Sequence, residues 1–171
     1  PASVPLDACV SPSLYGRNLK GTSPCEKTVP ATVLRPTYYI KVADGCPSRC
    51  TFCAIPKARG PLRSLPLPAI LESFKQAVEA GHRLVGLIAG DTAAYGTDLG
   101  TDLASLLERL LPLRKKARLV IEDLNPASLL LRQARYLDLF ATDACYELGF
   151  PLQSGSQRIL DRMNRGYAVR K

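Results

Sequence analysis

Three cysteines, Cys46, Cys50 and Cys53, lie close together in the chain in the spacing C-x₃-C-x₂-C. Thiolates are the usual protein ligands of iron–sulfur clusters, and a cluster that only transfers electrons is normally held by four of them. A loop with three cysteines leaves one iron of a [4Fe–4S] cluster without a protein ligand. That iron can bind a small molecule, so the spacing indicates a reaction centre.

A structural zinc site is the main alternative for this loop, but such sites prefer four protein ligands. The only histidine, His82, is predicted to lie at the opposite end of a strand from the cysteine loop. Cys145 is predicted to be a small residue of the core. Cys9 and Cys25 are either isolated thiols or remnants of a second cluster site, and their wide spacing favours isolated thiols.

The composition narrows the class of protein. Six cysteines in 171 residues do not indicate a secreted disulfide scaffold, because a chain of this length can bury a core without bridges. Clustered cysteines favour a metal site in the reducing cytoplasm. The net charge of +8 favours an anionic partner such as RNA. No run of about 18 apolar residues or signal-peptide pattern is present, so no membrane association is expected.

The elements that position these residues follow from the hydrophobic pattern. Residues 1–36 are rich in Pro, Ser and Thr and are interpreted as a linker or irregular lead-in. Strands are predicted at residues 38–42, 84–89, 119–121 and 145–150. Helices are predicted at residues 68–80, 103–111, from 126 through 137, and 156–163. The alternation predicts an α/β fold with a parallel sheet, either open or closed into a barrel.

Polar motifs follow each predicted strand. The cysteine loop follows the first, Gly90 and Asp91 the second, Glu122 the third, and Gln153 and Ser154 the fourth. Parallel barrels carry their chemistry at the carboxyl ends of the strands. We therefore expect these four segments to converge on one site.

The cysteine loop, with Phe52 before its last cysteine, resembles the radical-SAM enzymes. Three segments resemble the methylthiotransferase branch of that superfamily: residues 45–56 with 59–60 and 62–64, residues 90–98, and residues 151–156 with 158–160 and 163–167. The resemblance covers the chain from about residue 38 to the end. It implies that residues 37–171 form a partial (β/α)₆ barrel of about four βα units.

The resemblance also implies an activity. Cys46, Cys50 and Cys53 would ligate a [4Fe–4S] cluster whose open iron binds S-adenosylmethionine (SAM). Radical chemistry on SAM would then insert a methylthio group at an unactivated C–H bond, with tRNA adenosine as the favoured target. The alternatives are a ribosomal-protein or peptide side chain as target, or a non-catalytic RNA-binding module. An electron donor such as flavodoxin or ferredoxin and a cytoplasmic location are expected.

Six residues are expected at the cofactor: Phe52, Gly90, Asp91, Glu122, Gln153 and Ser154. Asp91 would accept the SAM ammonium, and Glu122 would bind the ribose hydroxyls. The structural alternatives are a helix N-cap or turn role for Asp91, and an N-cap role for Ser156 at the last helix. Asn125 is predicted to cap the third helix.

Three residues are expected at the substrate. Arg59 and Arg63 follow the cysteine loop and should lie near its mouth. Tyr95 would either contact substrate or cover the rim of the barrel.

The sequence also departs from the family pattern. Family members carry a preceding domain with three further cysteines for a second cluster, and a terminal RNA-binding barrel. Leu65 and Ala89 stand where a basic and a bulkier residue are common. We therefore interpret the chain as a fragment, with a second [4Fe–4S] cluster expected on a part of the protein outside it.

Overall fold

The computed structural model describes residues 37–131 and 133–169. The predicted lead-in, with Cys9 and Cys25, lies outside the described residues. Within the described ranges the strands are β1 (Thr37–Lys41), β2 (Ala43–Asp44), β3 (Arg63–Ser64), β4 (Leu84–Ile88), β5 (Arg118–Ile121) and β6 (Cys145–Leu148). The helices are α1 (Ile55–Arg59), α2 (Leu67–Glu79), α3 (Leu103–Leu110), α4 (Pro126–Leu130), α5 (Gln133–Phe140) and α6 (Gln157–Arg162).

The main sheet of the described residues is parallel and has the order β1-β4-β5-β6. Tyr39 pairs with Gly86, and Gly86 pairs with Val120, so the first three strands are in register. The order of the strands in this sheet is their order in the chain, as in a segment of a barrel. In a doubly wound sheet the strand order reverses part-way across the sheet. The predicted α/β fold with four βα units is confirmed.

The apolar core lies between this sheet and the helices α2, α3 and α5. Strand β4 is buried along almost its whole length, as expected for a parallel strand covered on both faces. Phe74 of α2 and Leu107 of α3 are essentially inaccessible to solvent. Burying a side chain of this size stabilises the fold by about 1.5–3 kcal/mol.

The helix predicted from residue 126 through residue 137 is two helices, α4 and α5. Helix α4 packs against the 3₁₀ turn Thr92–Ala94, whereas α5 packs against α3. The two halves of the predicted helix thus pack against different elements. Leu131, at the end of α4, is 82% exposed.

A second, two-stranded sheet was not predicted. Strands β2 and β3 pair antiparallel, with Ala43 opposite Ser64 and Asp44 opposite Arg63. Two residues are too few to show a periodicity, so the hydrophobic pattern carries no signal for them. This pairing joins the two ends of the cysteine loop. In the described ranges, no helix combines the length and apolar composition needed to cross a bilayer.

Candidate active site

The cysteine loop leaves the carboxyl end of the first strand and is closed at its base. Gly45 has φ +67°, and a Cβ there would lie 2.0 Å from the carbonyl oxygen of Pro61. Only glycine fits this close approach in this conformation. The amide of Cys46 donates to the carbonyl of Gly60 at 3.3 Å. The start of the cysteine motif is therefore fixed against the segment that follows it.

The three thiols of the loop are free. Cys46 is buried, whereas Cys50 and Cys53 are partly exposed. The amide of Cys53 donates to the carbonyl of Cys50 at 3.2 Å and forms a tight turn. Burial raises the pKa of the Cys46 thiol above its ordinary value. A metal that binds this sulfur must therefore displace its proton.

The far side of the loop is held by the segment that follows α6. The amide of Thr51 donates to the carbonyl of Met163 at 3.2 Å, and its hydroxyl donates to the carbonyl of Arg162 at 3.0 Å. Asn164 Nδ2 donates to the carbonyl of Arg49 at 2.8 Å. Two segments that are distant in sequence thus form one surface at the edge of the site.

Asn125 links three of the converging segments. Its Nδ2 donates to Asp91 Oδ2 at 3.2 Å and to Ser48 Oγ at 3.0 Å. Its Oδ1 accepts from Arg165 Nη2 at 3.2 Å and from the amide of Ala127 at 3.3 Å. The bond from Ala127 confirms the predicted cap of the third helix. Both hydrogens and both lone pairs of the amide are used, so the side chain has one defined orientation.

Asp91 is buried at the end of β4. Its Oδ2 also accepts a 2.6 Å hydrogen bond from Ser128 Oγ. Its Oδ1 is buried and has no hydrogen-bond partner among the described residues. Asp91 occupies the N-cap position of the 3₁₀ turn that follows, but its side chain forms no cap bond there. Burial raises the pKa of this carboxyl.

A cleft of about 350 Å³ opens beside the loop at the carboxyl ends of β1, β4 and β5. Polar and charged residues line it together with Gly90 and apolar side chains; the polar ones are Tyr39, Lys41, Asp44, Arg59, Glu122 and Asp123. A Cβ on Gly90 would lie 2.7 Å from the carbonyl oxygen of Gly45. In this structure the close approach that Gly90 permits is to the cysteine loop.

The family model of the Radical SAM superfamily matches residues 40–171. The chain belongs to this superfamily. The resemblance of the cysteine loop to radical-SAM enzymes is thereby confirmed.

Curated relatives of this radical-SAM chain are methylthiotransferases of two kinds. It is 35% identical over 137 residues to a probable threonylcarbamoyladenosine tRNA methylthiotransferase of Pyrococcus horikoshii, covering 79% of this chain and 32% of the relative. It is 41% identical over 140 residues to the ribosomal protein uS12 methylthiotransferase RimO of Nitratidesulfovibrio vulgaris, and the match covers 78% of this chain and 32% of that relative. The chain thus spans about a third of the length of these relatives. Its resemblance to the methylthiotransferase branch is confirmed.

The fold is shared with a solved radical-SAM protein of low sequence similarity. The radical SAM methyltransferase TsrM of Kitasatospora setae, with cobalamin and a [4Fe–4S] cluster bound, matches with a TM-score of 0.59 and 15% identity. The match covers 71% of this chain and 23% of TsrM. A second TsrM structure, with tryptophan and a SAM analog, gives a TM-score of 0.60 over 72% of this chain and 23% of TsrM.

The residues of the loop fit the cluster of a radical-SAM protein. Three free thiols are on one loop at the carboxyl end of a parallel sheet. Within residues 37–131 and 133–169, no three His, Cys, Asp or Glu side chains are close enough to share a single metal ion. Each thiolate of a [4Fe–4S] cluster binds a different iron, so its ligands need not meet at one point. The unpaired Asp91 Oδ1 is an acceptor that fits a cationic group of a bound molecule.

The predicted SAM residues of this radical-SAM core lie in two groups. Gly90 and Glu122 line the cleft. The other four, Asp91, Phe52, Gln153 and Ser154, lie outside its lining; Asp91 is 1% exposed and Phe52 is 53% exposed. Ser154 Oγ accepts from the amide of Ser156 at 3.1 Å. The hydroxyl of Ser154 therefore bonds within its own segment in this structure.

The arginines predicted at the mouth of the loop share one carboxylate. Arg59 Nη1 lies 3.2 Å from Asp44 Oδ1, and Arg63 Nη2 lies 3.9 Å from Asp44 Oδ2. Both arginine side chains are more than half exposed. Arg59 lines the cleft, and the two arginines form a basic edge beside the loop.

The structure corrects the prediction that Tyr95 contacts substrate. Tyr95 is 1% exposed within the apolar core, and its hydroxyl donates to the carbonyl of Leu65 at 3.1 Å. A side chain without solvent access, whose only polar atom is bonded to the backbone, supports the fold. His82 stands at the start of β4 with its ring 4.9 Å from that of Tyr38, so it lies at the end of the sheet away from the cysteines, as predicted.

Sequence reasoning missed the role of Asn125 as a link and gave Arg165 no role at all. The sequence contained one signal, since Arg165 belongs to the segment 163–167 that resembles the family. That segment has no strand or helix periodicity. Its position against the cysteine loop is a tertiary contact that no local pattern encodes.

Proposed function

We propose that residues 37–171 are the radical-SAM core domain of a methylthiotransferase. The observation that carries this proposal is the loop of three free cysteines at the carboxyl end of a parallel sheet, beside a cleft lined by Gly90 and Glu122. Membership of the superfamily and relatives of one functional type support it.

In this proposal Cys46, Cys50 and Cys53 bind a [4Fe–4S] cluster and leave one iron open to SAM. When bound, the cluster supplies the electron that cleaves SAM into methionine and a 5′-deoxyadenosyl radical. A flavodoxin or ferredoxin of the cytoplasm is the electron source that we propose. The protein supplies ligands, orientation and exclusion of water for this chemistry.

Polar groups in and behind the cleft would hold SAM. Asp91 lies behind the cleft lining, next to Gly90, and its buried Oδ1 would accept a hydrogen bond from the ammonium group. Glu122 accepts from the ribose hydroxyls, and Tyr39 holds that carboxylate in place. Phe52 would shield the cluster, and Gln153 and Ser154 would contact the nucleoside or the carboxylate of SAM.

The overall reaction replaces a C–H bond of the substrate by a C–S–CH₃ bond. One SAM would supply the radical that removes the hydrogen atom, and another would supply the methyl group. Sulfur insertion would depend on a second [4Fe–4S] cluster, expected on a part of the protein outside this chain. We propose a tRNA adenosine as the substrate, because the chain carries a net charge of +8 and Arg59 and Arg63 form a basic edge. A side chain of ribosomal protein uS12 is the second candidate, supported by the RimO relatives.

The test uses the intact protein, reconstituted anaerobically with iron and sulfide and supplied with SAM and reductant. Unmodified tRNA and uS12 are offered in parallel, and nucleoside digests and peptides are analysed by mass spectrometry for an added methylthio group. Product on tRNA is expected. Product on uS12 alone would select the second candidate, and SAM cleavage without either product would overturn methylthiolation of both substrates.

A further inference from the structure

Arg165 is a buried cation beside the cysteine loop. It is 7% exposed, and its Nη1 lies 3.2 Å from Cys50 Sγ. Its Nη2 donates to the carbonyl of Pro151 at 2.8 Å and to Asn125 Oδ1 at 3.2 Å. These three partners come from three different segments at the carboxyl ends of the strands. The guanidinium is therefore fixed in position by the fold.

The partners of Arg165 are a thiol, a carbonyl, an amide and the ring of Tyr167, whose centroid lies 5.8 Å from Cζ, and none of them is a carboxylate. A guanidinium stays protonated in proteins, and a buried charge is costly unless a charged group pairs with it. A cysteine sulfur that binds iron is a thiolate and carries negative charge. Ligation of iron by Cys50 would thus supply the charge that this arginine lacks, through a charge-assisted hydrogen bond.

We propose that Arg165 is a positioning residue for the iron–sulfur cluster. Its guanidinium donates a hydrogen bond to the sulfur of Cys50 and stabilises the negative charge of the reduced cluster. The proposal rests on the proposed function, because it requires a cluster on these cysteines. Hydrogen bonds to the sulfurs and nearby charge set the reduction potential of such clusters. A cationic donor raises that potential, since the reduced cluster is the more negative form.

The neighbours of Arg165 reinforce its position. Thr51 and Asn164 connect the same two segments through three hydrogen bonds that do not involve Arg165. Removal of the guanidinium should therefore leave the loop attached while the charge beside Cys50 is lost. A variant at Arg165 can thus change the cluster without detaching the segment.

The test compares Arg165→Ala and Arg165→Lys with the matched control Arg158→Ala, an exposed arginine on α6. All are made in the intact protein and reconstituted anaerobically. The readouts are iron and sulfide content, the midpoint potential of the cluster followed by electron paramagnetic resonance, and thermal unfolding. Loss of an outer hydrogen-bond partner typically costs about 10–100-fold in metal affinity.

We expect Arg165→Ala to hold the cluster about 10–100-fold more weakly and at a more negative potential. The midpoint potential of Arg165→Lys should lie between those of the wild type and Arg165→Ala, because lysine keeps the positive charge but lacks the planar guanidinium. Arg158→Ala should match the wild type. If Arg165→Ala does not fold, the potential of Arg165→Lys decides: a wild-type value overturns the proposal, and a value more negative than that of the wild type supports it.

The two proposals fail differently. A wild-type protein that binds no cluster would overturn the proposed function and this inference together. A wild-type protein that binds the cluster and cleaves SAM, with an unchanged potential in both Arg165 variants, would overturn only the role of Arg165.

Discussion

Tyr39 Oη donates a 2.8 Å hydrogen bond to Glu122 Oε1, joining β1 to the residue after β5 across the strand between them. The ring of Tyr39 lies over Gly86 of that intervening strand, where a Cβ would come within 2.3 Å of Tyr39 Cδ1. Glycine at position 86 therefore allows a tyrosine on one strand to position a carboxylate two strands away.

Gly86→Ala should destabilise the protein by displacing the Tyr39 ring. Overpacking of this kind costs about 1–3 kcal/mol of the free energy of unfolding, which denaturant titration measures. Gly155→Ala is the control, since a Cβ there has no neighbour within 4 Å and the backbone is not left-handed. Most of the cost of Gly86→Ala should be absent in a Tyr39→Ala background, where the remaining close neighbour of the new Cβ is Thr37 Cγ2 at 3.2 Å. An equal cost in both backgrounds would show that the ring is not the cause.

The titration of Tyr39 should be shifted to high pH. Burial, followed by the hydrogen bond and negative charge of Glu122, raises the pKa of Tyr39 from 10.0 to about 12. The fold favours the neutral hydroxyl, so this stabilisation is full below pH 10 and is lost as the pH rises through about 12. The difference in tyrosinate absorbance between the wild type and Tyr39→Phe isolates this group. A midpoint near 10 would contradict the hydrogen bond.

Asp102 should matter more for stability than the neighbouring acidic residue Glu108. Asp102 is 3% exposed, caps α3 through the amide of Ser105 at 2.8 Å, and pairs with Arg135. Asp102→Ala should lower the free energy of unfolding by about 1–2 kcal/mol through loss of the cap. Glu108→Ala, which removes only an exposed ion pair with the same arginine, should change it little. Equal effects would contradict the capping role.

Arg59→Ala should weaken binding of tRNA to the intact protein. Arg59 is the exposed cation that lines the cleft. Loss of one phosphate contact should reduce the slope of the logarithm of the binding constant against the logarithm of the salt concentration by about one. Arg109→Ala, at an exposed position on α3, should behave as the wild type. Binding curves at several salt concentrations provide the measurement. Unchanged affinity and slope would exclude Arg59 from the RNA interface.

The order of elements was predictable from the sequence, because β4 is a continuous apolar run and α2 repeats its apolar residues at helical spacing. The cysteine loop was predictable because its chemistry is carried by three residues close in sequence. The cap formed by Asn125 was predictable, but its links to Asp91 and Ser48 and the contacts of Arg165 and Tyr95 were not, since each depends on which distant group the fold brings within reach. Strands β2 and β3 were missed because two residues cannot show a periodicity.

The most direct test of the account is the yield of 5′-deoxyadenosine from the intact, anaerobically reconstituted protein with SAM and dithionite. The matched variants are Cys53→Ala, within the loop, and Cys145→Ala, a half-buried cysteine outside it. We predict formation of 5′-deoxyadenosine by the wild type and Cys145→Ala, and none by Cys53→Ala. Absence of the product from the wild type, or an equal yield from Cys53→Ala, would contradict the assignment of the loop as the radical-SAM centre.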